Sequence, residues 1–234
     1  MIGIEALTVS FGGVRALDDL SLEMKDDVVG IIGPNGAGKT TLINVLSGFV
    51  EPASGAVIAH DHDLLAMKPH ARARWGLARS FQKAQIVPDR TVEDHIRVAL
   101  DFQHLPERDN ERVLGRVLEF TGLTEHRRRI GARLNSAERR LTEIARCLAS
   151  SPKIVLLDEP GGGLSQNETS LLQSLIGAIK QEFGAMVVLI DHDVDLIRAI
   201  CSHTAVLDFG KLIAFGETEA VFRNEKVKAA YLGG

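Results

Sequence analysis

The sequence predicts an α/β fold: a largely parallel sheet covered by helices on both faces, with a helical lobe inserted between two halves of the core. Three observations predict it. Three short apolar runs, Val28–Ile32, residues 154–157 and Met186–Ile190, each lead into polar or glycine-bearing turns and then into helix-like spacing. The first run continues through a glycine-rich turn into an amphipathic stretch at 41–47. From about residue 84 to 150 strand patterns stop, and Val113, Val117, Leu118 and Phe120 recur at helical spacing among many charges.

Size and composition narrow the possibilities. At 234 residues the chain suits one compact domain with an appended lobe. A net charge of −4 argues against a nucleic-acid binder that relies on a broad basic field. The apolar runs are far too short to cross a bilayer, and the start MIGIEALTVSF lacks the basic end and long apolar core of a secretion signal. Two cysteines, Cys147 and Cys201, imply no disulfide framework and fit a reducing cytosol.

Taken in order, residues 4–11 alternate loosely, as in a strand with one wetter face. The turn after Val28–Ile32 reads GPNGAGKTT, residues 33–41, and fits G-x-x-x-x-G-K-[ST] between a strand and a helix. Its candidate phosphate-binding residues are Gly33, Pro34, Asn35, Gly36, Ala37, Gly38, Lys39, Thr40 and Thr41. Glycines let backbone amides turn inward around phosphate oxygens, and the helix N-terminus adds a favourable dipole. Lys39 supplies a point charge to the β- and γ-phosphates, and the Thr40 hydroxyl can coordinate Mg²⁺. A glycine turn without a ligand would not need the full motif in this setting.

Gln82, in RSFQ (79–82), is an amide able to reach Mg²⁺ or an attacking water from the boundary of the lobe. IVLLDEP (154–160) delivers Asp158 to the polar end of a buried strand, where it can hold a water on Mg²⁺. Glu159 is then placed to orient or polarise the water attacking the γ-phosphate. Such acid pairs also cap helices; the phosphate loop favours the chemical reading. VVLIDHD (187–193) ends a third strand in His192, either a surface histidine or a sensor of the γ-phosphate. Residues 205–207, the turn DFGK (208–211) and residues 212–215 read as a hairpin. No internal repeat is evident.

These elements, in this order, resemble the ATP-binding cassette (ABC) family of transport ATPases over nearly the whole chain. The resemblance implies a P-loop NTPase core of ABC ATPase type, residues 1–83 and 151–234, with an antiparallel β-subdomain. Residues 84–150 become an inserted helical subdomain. It places Phe11 where the family stacks adenine, although an aromatic in a strand is also ordinary core. It likens TVEDH (91–95) to the family's TVxEN stretch, and makes Gln82 the link between core, lobe and membrane partner. Residues 78–82, 140–146, 156–160, Gly163-Leu164 with Asn167-Glu168, and AYLG (230–233) resemble importers of branched-chain and other hydrophobic amino acids. HDHD (60–63) falls in a polar turn of the family and is expected to face solvent; Arg127–Arg129 is expected to be a solvated helix end.

One stretch departs. LNSAERR (134–140) occupies the family's LSGGQ signature, which binds the γ-phosphate of the opposite subunit in a head-to-tail dimer. Leu134 matches; Asn135, Ser136, Ala137 and Glu138 replace the serine, both glycines and the glutamine. Asn135 with Glu138 makes a capping box, and Leu141, Ile144, Ala145 and Leu148 an apolar stripe, so a helix still begins here. Ala137 adds a Cβ where close phosphate approach favours glycine, and Glu138 brings a negative charge unless the cap occupies it. The turn GGGLS (161–165) also departs from the family, which commonly has Asn or Asp after the leucine.

The expected protein is an ATP-hydrolysing importer subunit with ATP and Mg²⁺ as ligands, working peripherally on the cytoplasmic membrane face. Its expected partners are a second ABC ATPase in a heterodimer, transmembrane permeases and, indirectly, a solute-binding protein, with no nucleic acid. The alternative is a regulatory or structural subunit that binds ATP but scarcely hydrolyses it. A small-molecule kinase would use the same loop but gives no reason for the glutamine, acidic pair and histidine together.

Overall fold

A computed structural model describes residues 1–25, 28–102 and 106–229. The chain opens with β1 (Ile2–Phe11), β2 (Val14–Met24) and β3 (Val28–Ile32), then α1 (Lys39–Ser47), β4 (Ser54–Ala59), β5 (His62–Asp63), α2 (Pro69–Trp75) and β6 (Leu77–Arg79). Three helices follow, α3 (Val92–Asp101), α4 (Glu107–Phe120) and α5 (Ser136–Ala149). The chain returns to β7 (Ile154–Asp158), α6 (Gln166–Phe183), β8 (Met186–Ile190), α7 (Val194–Ile200), β9 (His203–Asp208), β10 (Lys211–Glu217), α8 (Thr218–Arg223) and α9 (Glu225–Val227). Residues 230–233, matched above to the importers, lie outside the described residues.

Six strands form one sheet in the order β10-β9-β3-β8-β7-β6, parallel except for the β9–β10 hairpin. Strands β3, β7 and β8 are buried at every position, which explains why they read as unbroken apolar runs. Their side chains still alternate. Val28, Ile32, Val155, Leu157, Val187 and Leu189 join a core with α3, α5, α6 and α7, while Val29, Ile31, Leu156, Val188 and Ile190 join one with α1 and a second sheet. That second sheet is antiparallel, ordered β2-β1-β4-β5.

The sequence reading left β2 unassigned, and began the first strand two residues late. The reason is local. β1 and β2 pair with register shifts, and Ala6 and Asp19 take positive φ of 47° and 56°, so a period of two is interrupted on both strands.

The tract Arg127–Arg129 does close a short helix, and Arg128 is largely exposed, but its arginines are ion-paired rather than simply solvated. It follows a 3₁₀ turn at Thr124–His126 and supplies the counter-ions of Glu93, whose side chain is buried at the start of α3. Arg127 Nε lies 2.8 Å from Glu93 Oε2, Arg128 3.0 Å from the same oxygen, and Arg97 Nε 2.8 Å from Oε1. Charges spaced far apart in sequence are thereby neutralised where the lobe folds on itself. The Arg127 hydrogen bond is the main cause that holds the Glu93 carboxyl down to about 2 from its ordinary 4.5. Because the folded value is the lower one, this carboxylate stabilises fully above about pH 4.5 and ceases to do so as pH falls through about 2. Glu93→Gln is therefore expected to flatten the acid limb of a plot of Tm against pH; an unchanged limb would place acid sensitivity elsewhere.

HDHD (60–63) is exposed: His60 and Asp61, at φ 42° and 64°, make the turn, and His62–Asp63 form the short strand β5. The rings of His60 and His62 lie 6.0 and 5.4 Å from Trp75. Among the described residues no three His, Cys, Asp or Glu side chains are grouped to hold a metal ion, and no helix is long and apolar enough to cross a membrane.

Candidate active site

Strands β3, β8, β7 and β6 lie side by side, and their ends lead to the phosphate turn, His192, the Asp158–Glu159 pair and Gln82 respectively. Carboxyl ends of parallel strands are where such sheets bind ligands.

The phosphate turn is fixed by close backbone approach. A Cβ on Gly33, at φ 154°, would fall 2.2 Å from the Leu207 carbonyl oxygen; one on Gly38, at φ 103°, would fall 2.5 Å from that of Ala16. The Ala37 amide donates to Pro34 O at 3.1 Å, and Ala37 O accepts from the Gly210 amide at 3.0 Å. Asn35 and Gly36 are exposed between them, and Thr40 is exposed and Thr41 half-buried in the first turn of α1. Lys39 folds its ammonium back into the turn, donating to Gly33 O at 2.6 Å and Pro34 O at 3.0 Å. Burial pulls this ammonium below its ordinary range, and the neighbouring Glu159 and Asp158 carboxylates oppose that pull.

Asp158, 5% exposed, ends β7 beside Arg79, whose Nη2 lies 3.3 Å from Oδ2. Burial raises the carboxyl above its ordinary range against the lowering effect of Arg79. Glu159 leaves the strand at φ 48°, a left-handed conformation uncommon outside glycine and concentrated at functional sites. Its amide donates to Ile190 O at 2.7 Å, and its carboxylate Oε2 accepts from Gln82 Nε2 at 2.6 Å. The residue at the lobe boundary thus touches the acid at the strand end. Thr40, Gln82 and Asp158 offer hydroxyl, amide and carboxylate oxygens, hard donors of the kind Mg²⁺ takes beside nucleotide phosphates.

His192 is 67% exposed beyond β8. Its position is set from behind by Asp191, which is buried and whose carboxylate accepts from the His192, Asp193 and Gly161 amides at 2.8, 3.0 and 3.2 Å.

The ABC transporter family pattern matches residues 17–162. The chain belongs to the ABC transporter family. This ABC protein is 34% identical to the high-affinity branched-chain amino acid transport ATP-binding protein BraF of Pseudomonas aeruginosa, over all of the chain and 98% of the relative. It is equally similar, with the same coverage, to the corresponding protein LivG of Escherichia coli. Its structure resembles the ADP conformation of MJ1267, an ATP-binding cassette of an ABC transporter, with a TM-score of 0.88 and 27% identity over all of this chain and 99% of that one. As an ABC ATPase subunit of a transporter, it binds and hydrolyses ATP.

LNSAERR (134–140) begins α5 as a complete capping box. Asn135 Oδ1 accepts from the Glu138 amide at 2.8 Å, and Glu138 Oε2 accepts from the Asn135 amide at 2.9 Å. Glu138 Oε1 is held by Arg129 at 2.6 Å and lies 3.1 Å from His126 Nε2. The conditional left open by the sequence resolves here: Glu138 is occupied. Phe11, 54% exposed, pairs across the β1–β2 turn with exposed Val14, on the hairpin whose second strand passes Gly38. TVEDH (91–95) caps α3 through Thr91 and Asp94, and His95 accepts from the Val87 amide at 2.8 Å.

Four residues that touch this site were given no role from sequence: Arg79, Arg140, Glu143 and Asp191. Arg140 Nη1 donates to Phe81 O at 2.7 Å, and Nη2 to Gln82 O at 2.8 Å and Glu159 O at 3.4 Å. Its counter-ion is Glu143 at 3.0 Å. The available signal was a pair of opposite charges at i and i+3 adjoining the apolar stripe of α5, where solvated charges have no reason to be.

Proposed function

We propose that this chain is the ATP-hydrolysing subunit of an importer for branched-chain amino acids or a related small solute, coupling Mg-ATP hydrolysis to movement through separate permeases. The observation that carries it is the 2.6 Å contact between Gln82 and Glu159 beside the phosphate turn, since it joins the lobe boundary to the group placed to handle water. The substrate class is supported by the relatives that carry branched-chain amino acids in their names. In this reading residues 1–83 and 151–234 form the hydrolytic core and 84–150 the lobe.

The backbone N–H groups of residues 33 and 35–41 cradle the phosphates, Lys39 adds its charge, and Phe11 stacks the adenine. Thr40, Gln82 and Asp158, the last through a water, would hold Mg²⁺, which when bound would supply positive charge to the nucleotide phosphates. Glu159 orients the attacking water and takes its proton, and His192 reads the γ-phosphate. Because Glu138 is neutralised by Arg129 and the cap, its charge does not oppose a phosphate at the start of α5. What remains altered is the serine hydroxyl and the glycine approach, now Asn135, Ser136 and Ala137. A heterodimer with an intact second cassette therefore leaves this chain's own ATP site the strong one.

The protein docks on the cytoplasmic membrane face through its permeases, which in turn meet a solute-binding protein. A groove of about 530 Å³, lined by Arg79, by exposed Val98 of α3 and by exposed Phe102 just after that helix, offers the permease an apolar seat. The test is steady-state ATPase and calorimetric ATP uptake, for the chain alone and with its co-expressed permeases and second cassette. Turnover is expected to rise at least about tenfold in the assembly, a gain of about 1.4 kcal/mol at the transition state. Equal rates in both would refute the heterodimer; absence of Mg²⁺-dependent ATP uptake in both would refute the function.

A further inference from the structure

Arg79 ends β6, and its side chain is buried between separate elements of the core. Besides its 3.3 Å contact with Asp158 Oδ2, its Nη1 donates to Asn44 Oδ1 at 2.7 Å and to Ser47 Oγ at 3.3 Å, both on the helix that Lys39 opens. The guanidinium lies 5.0 Å from the ring of Phe81, the residue before Gln82, and 5.7 Å from that of Phe49. The side chains of Arg79 and Asp158 are 9% and 6% exposed, so solvent screens neither charge much. A guanidinium is a rigid planar fork. Donating to Asp158 through one nitrogen and to Asn44 through the other, it fixes the carboxylate relative to α1. A lysine at this place would be a point charge, able to neutralise but not to bridge.

We propose that Arg79 is a positioning residue that ties Asp158 to α1, engaging Oδ2 so that Oδ1 is presented to the divalent cation of the bound nucleotide. The proposal rests on the reading above, in which Asp158 helps hold that cation. Outer partners of ligating carboxylates commonly set metal affinity by fixing direction. Two other roles would leave different marks. A counter-ion needed only for folding would change stability alone, and a charge that competes with the cation would weaken its binding in the parent.

The test uses the full chain assembled with its co-expressed permeases and second cassette. ATP affinity is measured by calorimetry in Mg²⁺ and again in EDTA for the parent, Arg79→Met, Arg79→Lys and Asn44→Ala, with thermal unfolding alongside. Arg79→Met is expected to lower the Mg²⁺-dependent gain in affinity about tenfold while leaving the affinity in EDTA within about twofold of the parent. Arg79→Lys and Asn44→Ala are expected to lose less, in the same direction. An unchanged or larger Mg²⁺ gain in folded Arg79→Met overturns the proposal. Should that variant fail to fold, the other two carry the test, and a parental Mg²⁺ gain in both overturns it. A parent that shows no Mg²⁺ gain at all overturns the nucleotide reading first, and this proposal with it.

Discussion

Glu159→Gln is expected to abolish turnover while ATP still binds. The substitution keeps volume and shape, and the amide can still meet Gln82, which lies 2.6 Å from the native carboxylate. The backbone is held independently of the side chain, by the Glu159 amide on Ile190 O at 2.7 Å, so the left-handed turn survives. What is lost is a group able to accept a proton from water. A positioned general base contributes about 10²–10⁴ in rate, so steady-state ATPase of the assembled complex should fall by about that factor. Calorimetric affinity for Mg-ATP should change little. Turnover within about twofold of the parent would assign the water to another residue, and His192 would be the next to test.

Arg140→Met is expected to have the largest effect on stability. Arg140 is buried, and its loss strips partners from four groups at once: Phe81 O, Gln82 O, Glu159 O and the Glu143 carboxylate. Glu143 would then stay enclosed with the Phe81 amide at 3.1 Å, the Gln85 backbone and Arg146 at 3.5 Å as partners. Burial already raises its carboxyl above the ordinary range. Removing one member of such a pair costs about 3–5 kcal/mol, which for a chain of this size corresponds to a fall in Tm of roughly 10 °C. Arg140→Met with Glu143→Met should recover much of that stability, because no unpaired charge is left inside. ATPase should not recover with it, since the Phe81–Gln82 turn has still lost its two carbonyl anchors. A double variant no more stable than the single one would show that the pair is not what holds α5 to the site.

The parts of this site legible in the sequence are those whose chemistry is local. The glycine turn at 33–41 declares itself because Gly33, Gly38 and Lys39 fall within a few residues of one another, and Asp158 and Glu159 because a fully buried strand delivers them together. The capping box of α5 is legible for the same reason: Asn135 and Glu138 need only each other. The binding of Arg79 to Asp158, 79 residues away, and of Arg140 to Phe81, 59 residues away, leaves no local trace, because each arginine looks like an ordinary surface charge until the chain folds. The pairing of Arg127 with Glu93, 34 residues upstream, is hidden for the same reason. Strand β2 was missed for a different reason: its acidic pair Asp18-Asp19 and its bulge hide the alternation that marks a half-buried strand.

A single carboxylate, that of Asp191, clasps the amides of His192 and Asp193 on one side and of Gly161 on the other. The His192 turn and the glycine turn ahead of α6 are therefore tied to one buried group. A shift of either segment must carry that carboxylate along or break the hydrogen bonds by which it holds the other.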